Sequence, residues 1–314
     1  MKVFIPNKKN PKTGKGFFCQ RLAKAMSKMG VEFVSADVKH DISLHVVKLS
    51  KTRSKRKVIR LDGVYHDRGL DYKSRNRVLK ENLHAADAVV YQSEFSKSIC
   101  DKYLKKFRGR KAIIHNGADI SFYDSVDPIE KQCKHLFFTS SRWRPHKRLK
   151  DIIESFLLAD IADSQLYVAG NLKRAGIRKS HPLFSDHRVN YVGVLDQKQS
   201  AAYLKAADAF IHLCWFDNCP NGVVEAIASG TPVITNNVGG THEIVRPSGG
   251  IVCNIDKVYD LSPVKLYKPP RINQQLVAEA INKCVSDKVN VTSDHIRIEE
   301  VARKYIKFFN KVMK

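Results

Sequence analysis

The chain has 314 residues, 43% of them hydrophobic and 27% charged, enough for two α/β domains with sizeable cores and the composition of a soluble globular protein. No apolar run reaches the length of a membrane-spanning helix, and Met1-Lys2-Val3-Phe4-Ile5 reads as a strand rather than a signal peptide. The formal net charge of +24 favours polyanionic company, whether nucleic acid, anionic headgroups or phosphorylated substrates.

Apolar strand patterns recur along the chain with helical patterns between many of them, the signature of a mostly parallel sheet. In the first half, strands are predicted over 2–5, 31–36, 42–47, 57–61, 88–91 and 112–115, and helices over 17–29, 74–84 and 94–105. The polar stretch 117–134 reads as a joint. Beyond it, strands are predicted over 135–139, 165–168, 189–192, 209–213, 232–235 and 250–253, with helices over 148–158, 197–206, 222–229, 241–245 and 274–285. A last amphipathic helix is expected over 293–314, with Val301, Tyr305, Phe308, Phe309 and Val312 on its apolar face. The reading is α/β, two Rossmann-like halves facing across a cleft, the first over 1–125 and the second over 126–292, with a terminal helix left over.

Seven cysteines, odd in number and without a C-x-x-C pair, argue against a disulfide framework or a zinc site and for a reducing compartment. No zinc-finger spacing, RNP-type aromatic motif or KH-type loop accompanies the positive charge, so no specific nucleic-acid partner is expected. Lys51, Arg53, Lys55, Arg56 and Lys57 crowd before the fourth strand and suggest peripheral contact with an anionic membrane surface. The expected location is cytoplasmic.

The most informative stretch is Trp215 to Val233, W-F-D-N-C-P-N-G-V-V-E-A-I-A-S-G-T-P-V. Asp217 on a loop and Glu225 one turn into the following helix are both expected at the carboxyl edge of a parallel sheet, where such folds bind ligands. Upstream, Arg142 ends the first strand of the second half and Lys147 opens the next helix. Two cations there form a diphosphate clamp that offsets charge growing on a leaving phosphate. Gly14 and Gly16, within Lys12-Thr13-Gly14-Lys15-Gly16, open the first helix without forming a Walker A motif, yet permit close approach of a phosphate or sugar. Asp62, Tyr65 and His66 follow the fourth strand as short polar groups suited to sugar hydroxyls. Val238-Gly239-Gly240 repeats the strand-glycine-helix arrangement, and its small residues leave room for a sugar or phosphate against the backbone.

The order Arg142-x4-Lys147, Asp217-x7-Glu225 and V238-G-G-x-x-E243 resembles the retaining family 4 glycosyltransferases of the GT-B fold, with V90-Y-Q-S-E-F-S-K97 and I114-H-N-G-A-D119 similar to that family's connectors. The resemblance runs from about Val58 to Ile251 and departs in one place: the first acid of the family's E-x7-E is Asp217. It implies a metal-independent hexosyltransferase moving a sugar from a UDP- or GDP-linked donor to a glycan, glycolipid or glycoprotein hydroxyl with retention, with no cofactor. It implies further that Arg142 and Lys147 hold the diphosphate, that Glu225 accepts from the ribose hydroxyls, and that Asp217 contacts the transferred sugar. Amides of Cys219, Pro220, Asn221 and Gly222 would lie nearby, with Gly193 and Val194 beside the base. His66 would stand by the reacting centre, and Asp62 and Tyr65 would face the acceptor. Two other readings compete: a GT-B nucleotide-sugar epimerase, and a non-catalytic polyanion-binding protein.

Overall fold

Strands that are apolar on both faces belong in parallel sheets covered by helices on each side, and the fold follows that rule twice. The computed structural model of the chain describes residues 1–6, 14–287 and 289–314. The first half runs β1 (Lys2–Phe4), α1 (Gly14–Lys28), β2 (Glu32–Phe33), β3 (His40–Val46), β4 (Ser54–Leu61), α2 (Tyr72–His84), β5 (Ala88–Tyr91), α3 (Glu94–Leu104) and β6 (Arg110–Ile113). Then come α4 (Ile120–Asp124), β7 (His135–Arg142), α5 (Leu149–Ala159), β8 (Ser164–Asn171), β9 (Val189–Gly193), α6 (Gln197–Ala206) and β10 (Ala209–His212). The chain finishes with α7 (Asn221–Ala228), β11 (Val233–Asn236), α8 (Thr241–Val245), β12 (Ile251–Cys253), α9 (Gln274–Ser286) and α10 (Ile298–Met313).

Two six-stranded sheets result, ordered β2-β1-β3-β4-β5-β6 and β12-β11-β10-β7-β8-β9, with every strand pair parallel. The second is the Rossmann order, with its topological switch point between β7 and β10, the place where such sheets open a crevice for ligands. This pair of parallel Rossmann-like sheets is the GT-B fold.

Strong local signals land where the sequence puts them. β5, α6 and α8 match to the residue, and α6 is fixed by a capping box between Asp196 and Gln199. Weaker signals shift. The strand expected over 31–36 contracts to β2, α4 interrupts the supposed polar joint, and the last helix starts at Ile298 after a 3-10 turn at Asp294–Ile296.

The chain divides into two compact units, Met1–Asp119 with Leu261–Val264 and Ile296–Lys314, and Ile120–Asp260 with Lys265–His295. In the first, α10 closes the core: Tyr305 and Phe309 are fully buried beside Phe18, Leu22 and Met26 of α1, with the rings of Phe18 and Tyr305 6.3 Å apart. The segment Leu261–Val264 departs from the expected boundaries. Val264 bridges Asp67, its N–H donates to the His66 carbonyl at 2.9 Å, and the Arg68 N–H donates to its carbonyl at 2.7 Å. Tyr103 adds a bond to the Leu261 carbonyl at 2.9 Å. These non-local backbone bonds satisfy polar groups the loops would otherwise leave open and leave no trace in local sequence.

Candidate functional site

In the second unit, loops from the carboxyl ends of β7, β10 and β11 meet at the switch point. β7 ends at Arg142, whose side chain is exposed. The chain then turns through Trp143, buried, with its indole N–H donating to the Ala169 carbonyl at 2.8 Å. A 3-10 turn, Pro145–Lys147, carries Lys147 inward. Its Nζ lies 2.6 Å from an Asp217 carboxylate oxygen, with the two side chains only 17% and 24% exposed. The carboxylate and ammonium that the sequence assigns to different loops therefore form one short, sheltered ion pair.

The surroundings set the charge of that pair. Burial pulls the Asp217 carboxyl upward, but the charge of Lys147, the neighbouring His212 and the hydrogen bond from Lys147 outweigh it, so the group sits below the usual range. Burial works against the Lys147 ammonium too, and Asp217 and Cys214 more than reverse it, so its pKa is raised. Two histidines stand close by. Burial first, and Lys147 second, press both His146 and His212 down to about 3, leaving them neutral imidazoles at pH 7. His146 stacks on Tyr267 at 5.4 Å and its carbonyl accepts from the Trp215 N–H at 2.8 Å, joining the two loops.

Lys147 is braced from behind by its neighbour. Arg148 adopts a left-handed conformation (φ 56°), uncommon for a side chain of its size. Its guanidinium is completely buried and bidentate on Asp256 at 2.7 and 2.6 Å. Asp256 also accepts from Asn236 Nδ2 at 2.9 Å, and its backbone N–H donates to Asn237 Oδ1 at 3.1 Å. A truss of four side chains thus ties the Lys147 turn to the end of β11. The glycine pair that follows β11 packs against the Asp217 loop. Gly240 N–H donates to the Asp217 carbonyl at 2.7 Å, and Gly239 (φ +79°) lies so close that a Cβ would stand 2.8 Å from that oxygen. At Gly239 the backbone of Asp217 occupies the space a side chain would need.

The remaining donor-side candidates lie in the same unit. α7 starts at Asn221, with Pro220 as its cap and Gly222 in its first turn, Cys219 is buried, and Glu225 is half-buried on the helix's second turn. Gly193 ends β9 at φ +82° with open space where a Cβ would project, and Val194 is 70% exposed. His212, Cys214 and Asp217 were not expected as a group, yet their ligating atoms all lie within 4.8 Å of one another. A strand end presents alternate residues to one side, a pattern no C-x-x-C search finds. The trio has the composition of a metal site, but its carboxylate is already engaged by Lys147.

In the first unit, Asp62 lies in a network and does not stand free. It accepts from Arg60 at 2.8 Å and from Gln92, and Lys15 is 3.3 Å away. Arg60 is 1% exposed, bonds Asn116, and lies 4.2 Å over the Phe18 ring. Tyr65 is 39% exposed, with its backbone pinned by Asn76 at 2.9 and 2.6 Å. His66 is half-buried, its pKa lowered by that burial. Gly14 and the buried Gly16 open α1, whereas Lys12 and Thr13 lie outside the described residues.

The model of the family described as "Glycosyl transferases group 1" matches residues 125–304, more than half of the chain. The chain belongs to the group 1 glycosyl transferases. Among relatives, it is 25% identical over 170 residues to an alpha-monoglucosyldiacylglycerol synthase of Streptococcus pneumoniae, covering 49% of this chain and 38% of that one. The chain spans less than half the length of the curated relatives it matches. Among solved structures, sucrose-phosphate synthase from Thermosynechococcus elongatus is similar with a TM-score of 0.72 and 14% identity, over 99% of this chain and 98% of that one. Anabaena HepE in complex with UDP-glucose is similar with a TM-score of 0.64 and 15% identity, over 99% and 98%. At such identities these two speak for the fold alone. Among the described residues no helix is long and apolar enough to cross a membrane.

Proposed function

We propose that this group 1 glycosyl transferase moves a hexose from a nucleotide diphosphate sugar to an acceptor hydroxyl with retention of configuration. The observation that carries the reading is the Lys147–Asp217 ion pair, 2.6 Å across, at the switch point of the second sheet. In this proposal Lys147 and Arg142 hold the diphosphate and offset the charge that develops as it leaves. Asp217 releases Lys147 to the phosphate and turns to the transferred sugar. Glu225 accepts from the ribose, the amides of Cys219, Asn221 and Gly222, with the Pro220 turn between them, face the sugar, and the main chain at Gly193 and Val194 receives the base. Gly14 and Gly16 lie along phosphate or acceptor, and His66, Asp62 and Tyr65 serve the acceptor.

With neutral His146 and His212 beside it, the ammonium of Lys147 is the dominant positive charge at this point and supplies locally what a metal supplies elsewhere; the proposal is that transfer needs no metal. The name of the pneumococcal relative supports a lipid-linked acceptor, and the UDP-glucose in the HepE structure supports a UDP-hexose donor. A thermal-shift panel of UDP- and GDP-sugars tests the donor, because only a ligand that binds the folded state raises its melting temperature. Transfer in the presence of a chelator tests metal independence, and the anomeric configuration of the product by NMR tests retention. A protein that answers to no nucleotide sugar refutes the reading.

A further inference from the structure

The +24 charge is not spread evenly over functional and idle surfaces. The Lys51–Lys57 cluster is partly neutralised, since Lys55 pairs with Asp41 at 2.9 Å and Arg56 with Asp87 at 3.4 Å. A second group of cations, without ion pairs among the described residues, lies on α10 and its neighbour β6. Lys304, Lys307, Lys311 and Lys314 are exposed at spacings of three, four and three, which aligns them in one row along the helix; at 1.5 Å per residue the row is about 15 Å long. Arg110 and Lys111, exposed on the edge strand β6, continue it sideways. None of these six makes an ion pair among the described residues.

Two shallow grooves run between these cations. One, of about 580 Å³, has Met29 and Ile306 between Arg303, Lys307, Lys311 and Lys314. The other, of about 610 Å³, has Ile113 and Phe308 between Lys111, Lys304 and Lys307. Neither is lined by an acidic residue. The face lies towards the amino edge of the first sheet, where β6 begins, opposite the carboxyl-edge loop that carries Asp62 and His66.

We infer that this face docks the protein on an anionic lipid surface, with headgroup phosphates between the lysines and the apolar groove floors against the upper acyl region. Charge complementarity selects an anionic partner, each lysine adding to attraction towards a charged leaflet. The floors decide which kind: Met29, Ile306 and Ile113 have no counterpart in a nucleic-acid backbone, whereas an interfacial helix pairs such apolar residues with flanking lysines. Single-strand binders rely on exposed aromatics for stacking, and Phe308 in the groove is 6% exposed. The inference is independent of the transfer reaction, because docking is read without donor or acceptor.

The test is co-sedimentation of the full chain with phosphatidylcholine vesicles with and without phosphatidylglycerol, at low salt and at about 1 M salt, where the screening length falls to about 3 Å. Binding should require phosphatidylglycerol, disappear at high salt, and weaken by about a hundredfold or more in the K304Q/K307Q/K311Q/K314Q variant. All four side chains are exposed, and an unchanged melting temperature certifies that variant's fold. K51Q/R53Q/K55Q should bind nearly as wild type. Wild-type protein that ignores anionic vesicles at low salt overturns the inference, as does a quadruple variant that binds undiminished. Short duplex RNA that binds as tightly per phosphate as the vesicles would overturn it in favour of a nucleic-acid surface.

Discussion

Gly239 presses against the backbone of Asp217, its absent Cβ leaving only 2.8 Å to the Asp217 carbonyl oxygen while the next residue's N–H bonds that oxygen at 2.7 Å. The position of the acid is thus set by a neighbouring loop as well as by its own. Gly239→Ala places a side chain at φ +79° and into that contact. The expected cost is about 1–3 kcal/mol in urea unfolding, from left-handed strain of about 1–2 kcal/mol plus displacement of the loop. A stability equal to wild type would mean that the loop moves freely and does not hold Asp217.

Lys147→Ala and Arg142→Ala should lower turnover more than donor affinity, because charge on the phosphate grows towards the transition state. The two should also differ from each other. Lys147→Ala leaves a sheltered Asp217 carboxylate without its cation, so it should also lose about 1.5–3 kcal/mol of stability, whereas exposed Arg142 should lose little. Steady-state kinetics beside urea titrations separates these outcomes. If Lys147→Ala changes only the Michaelis constant, the residue binds the ground state alone.

Glu225→Ala should weaken UDP or UDP-hexose binding by about 1.5–3 kcal/mol, the scale of hydrogen bonds to a charged acceptor, with the fold intact because the side chain is only half-buried. Calorimetric titration of the free nucleotide reads this without any acceptor. Equal affinity in wild type and variant removes Glu225 from the ribose.

Asp256→Ala strands the buried guanidinium of Arg148, whose side chain and partner are 0% and 2% exposed. The expected loss is about 3–5 kcal/mol. The Lys147 turn should loosen with it, so residual folded protein should show lowered turnover with donor affinity less affected. A double variant, Arg148→Gly with Asp256→Asn, removes the stranded charge and the left-handed strain together, and should recover part of the stability while turnover stays low.

The buried histidines make the second unit acid-sensitive well above the carboxylate range. His146 and His212 have folded pKa values of about 3 against about 6.5 unfolded. Between those values the unfolded chain binds more protons, so stability rises with pH and falls on acidification from 6.5. By pH 5 the loss is on the order of 2 kcal/mol for each. His212→Gln should flatten the pH 5–7 slope of urea-derived stability; an unchanged slope means that this imidazole is already charged in the fold.

What the sequence makes legible is the part governed by local rules. Glu225 and Lys147 follow strands with helix starts at the right distance, so both their secondary structure and their shared edge of the sheet can be read from spacing. Asp256 is invisible, since it lies 108 residues from Arg148 in a stretch with no periodicity. The role of Gly239 is hidden for the same reason: a glycine pair after a strand looks like room for a ligand, and only the fold brings the Asp217 backbone into that room. Leu261–Val264 is tied to the first unit mainly through its own backbone groups, which bond His66, Arg68 and Tyr103, so the segment's own side chains give little signal. The His212, Cys214 and Asp217 grouping escapes because it arises where a strand end opens into a loop, outside any recognised ligand spacing.

The burial of Tyr305 and Phe309 against Phe18, Leu22 and Met26 has a consequence for synthesis on the ribosome. Helix α10 is translated after all of the second unit, so the first unit's strands emerge long before the helix that covers one side of their core. Until then α1 presents an uncovered apolar face, the kind of surface that draws chaperones and invites aggregation. The second unit, by contrast, has its last helix, α9, in hand before α10 is made. The half of the protein that is translated first is therefore the half that finishes folding last.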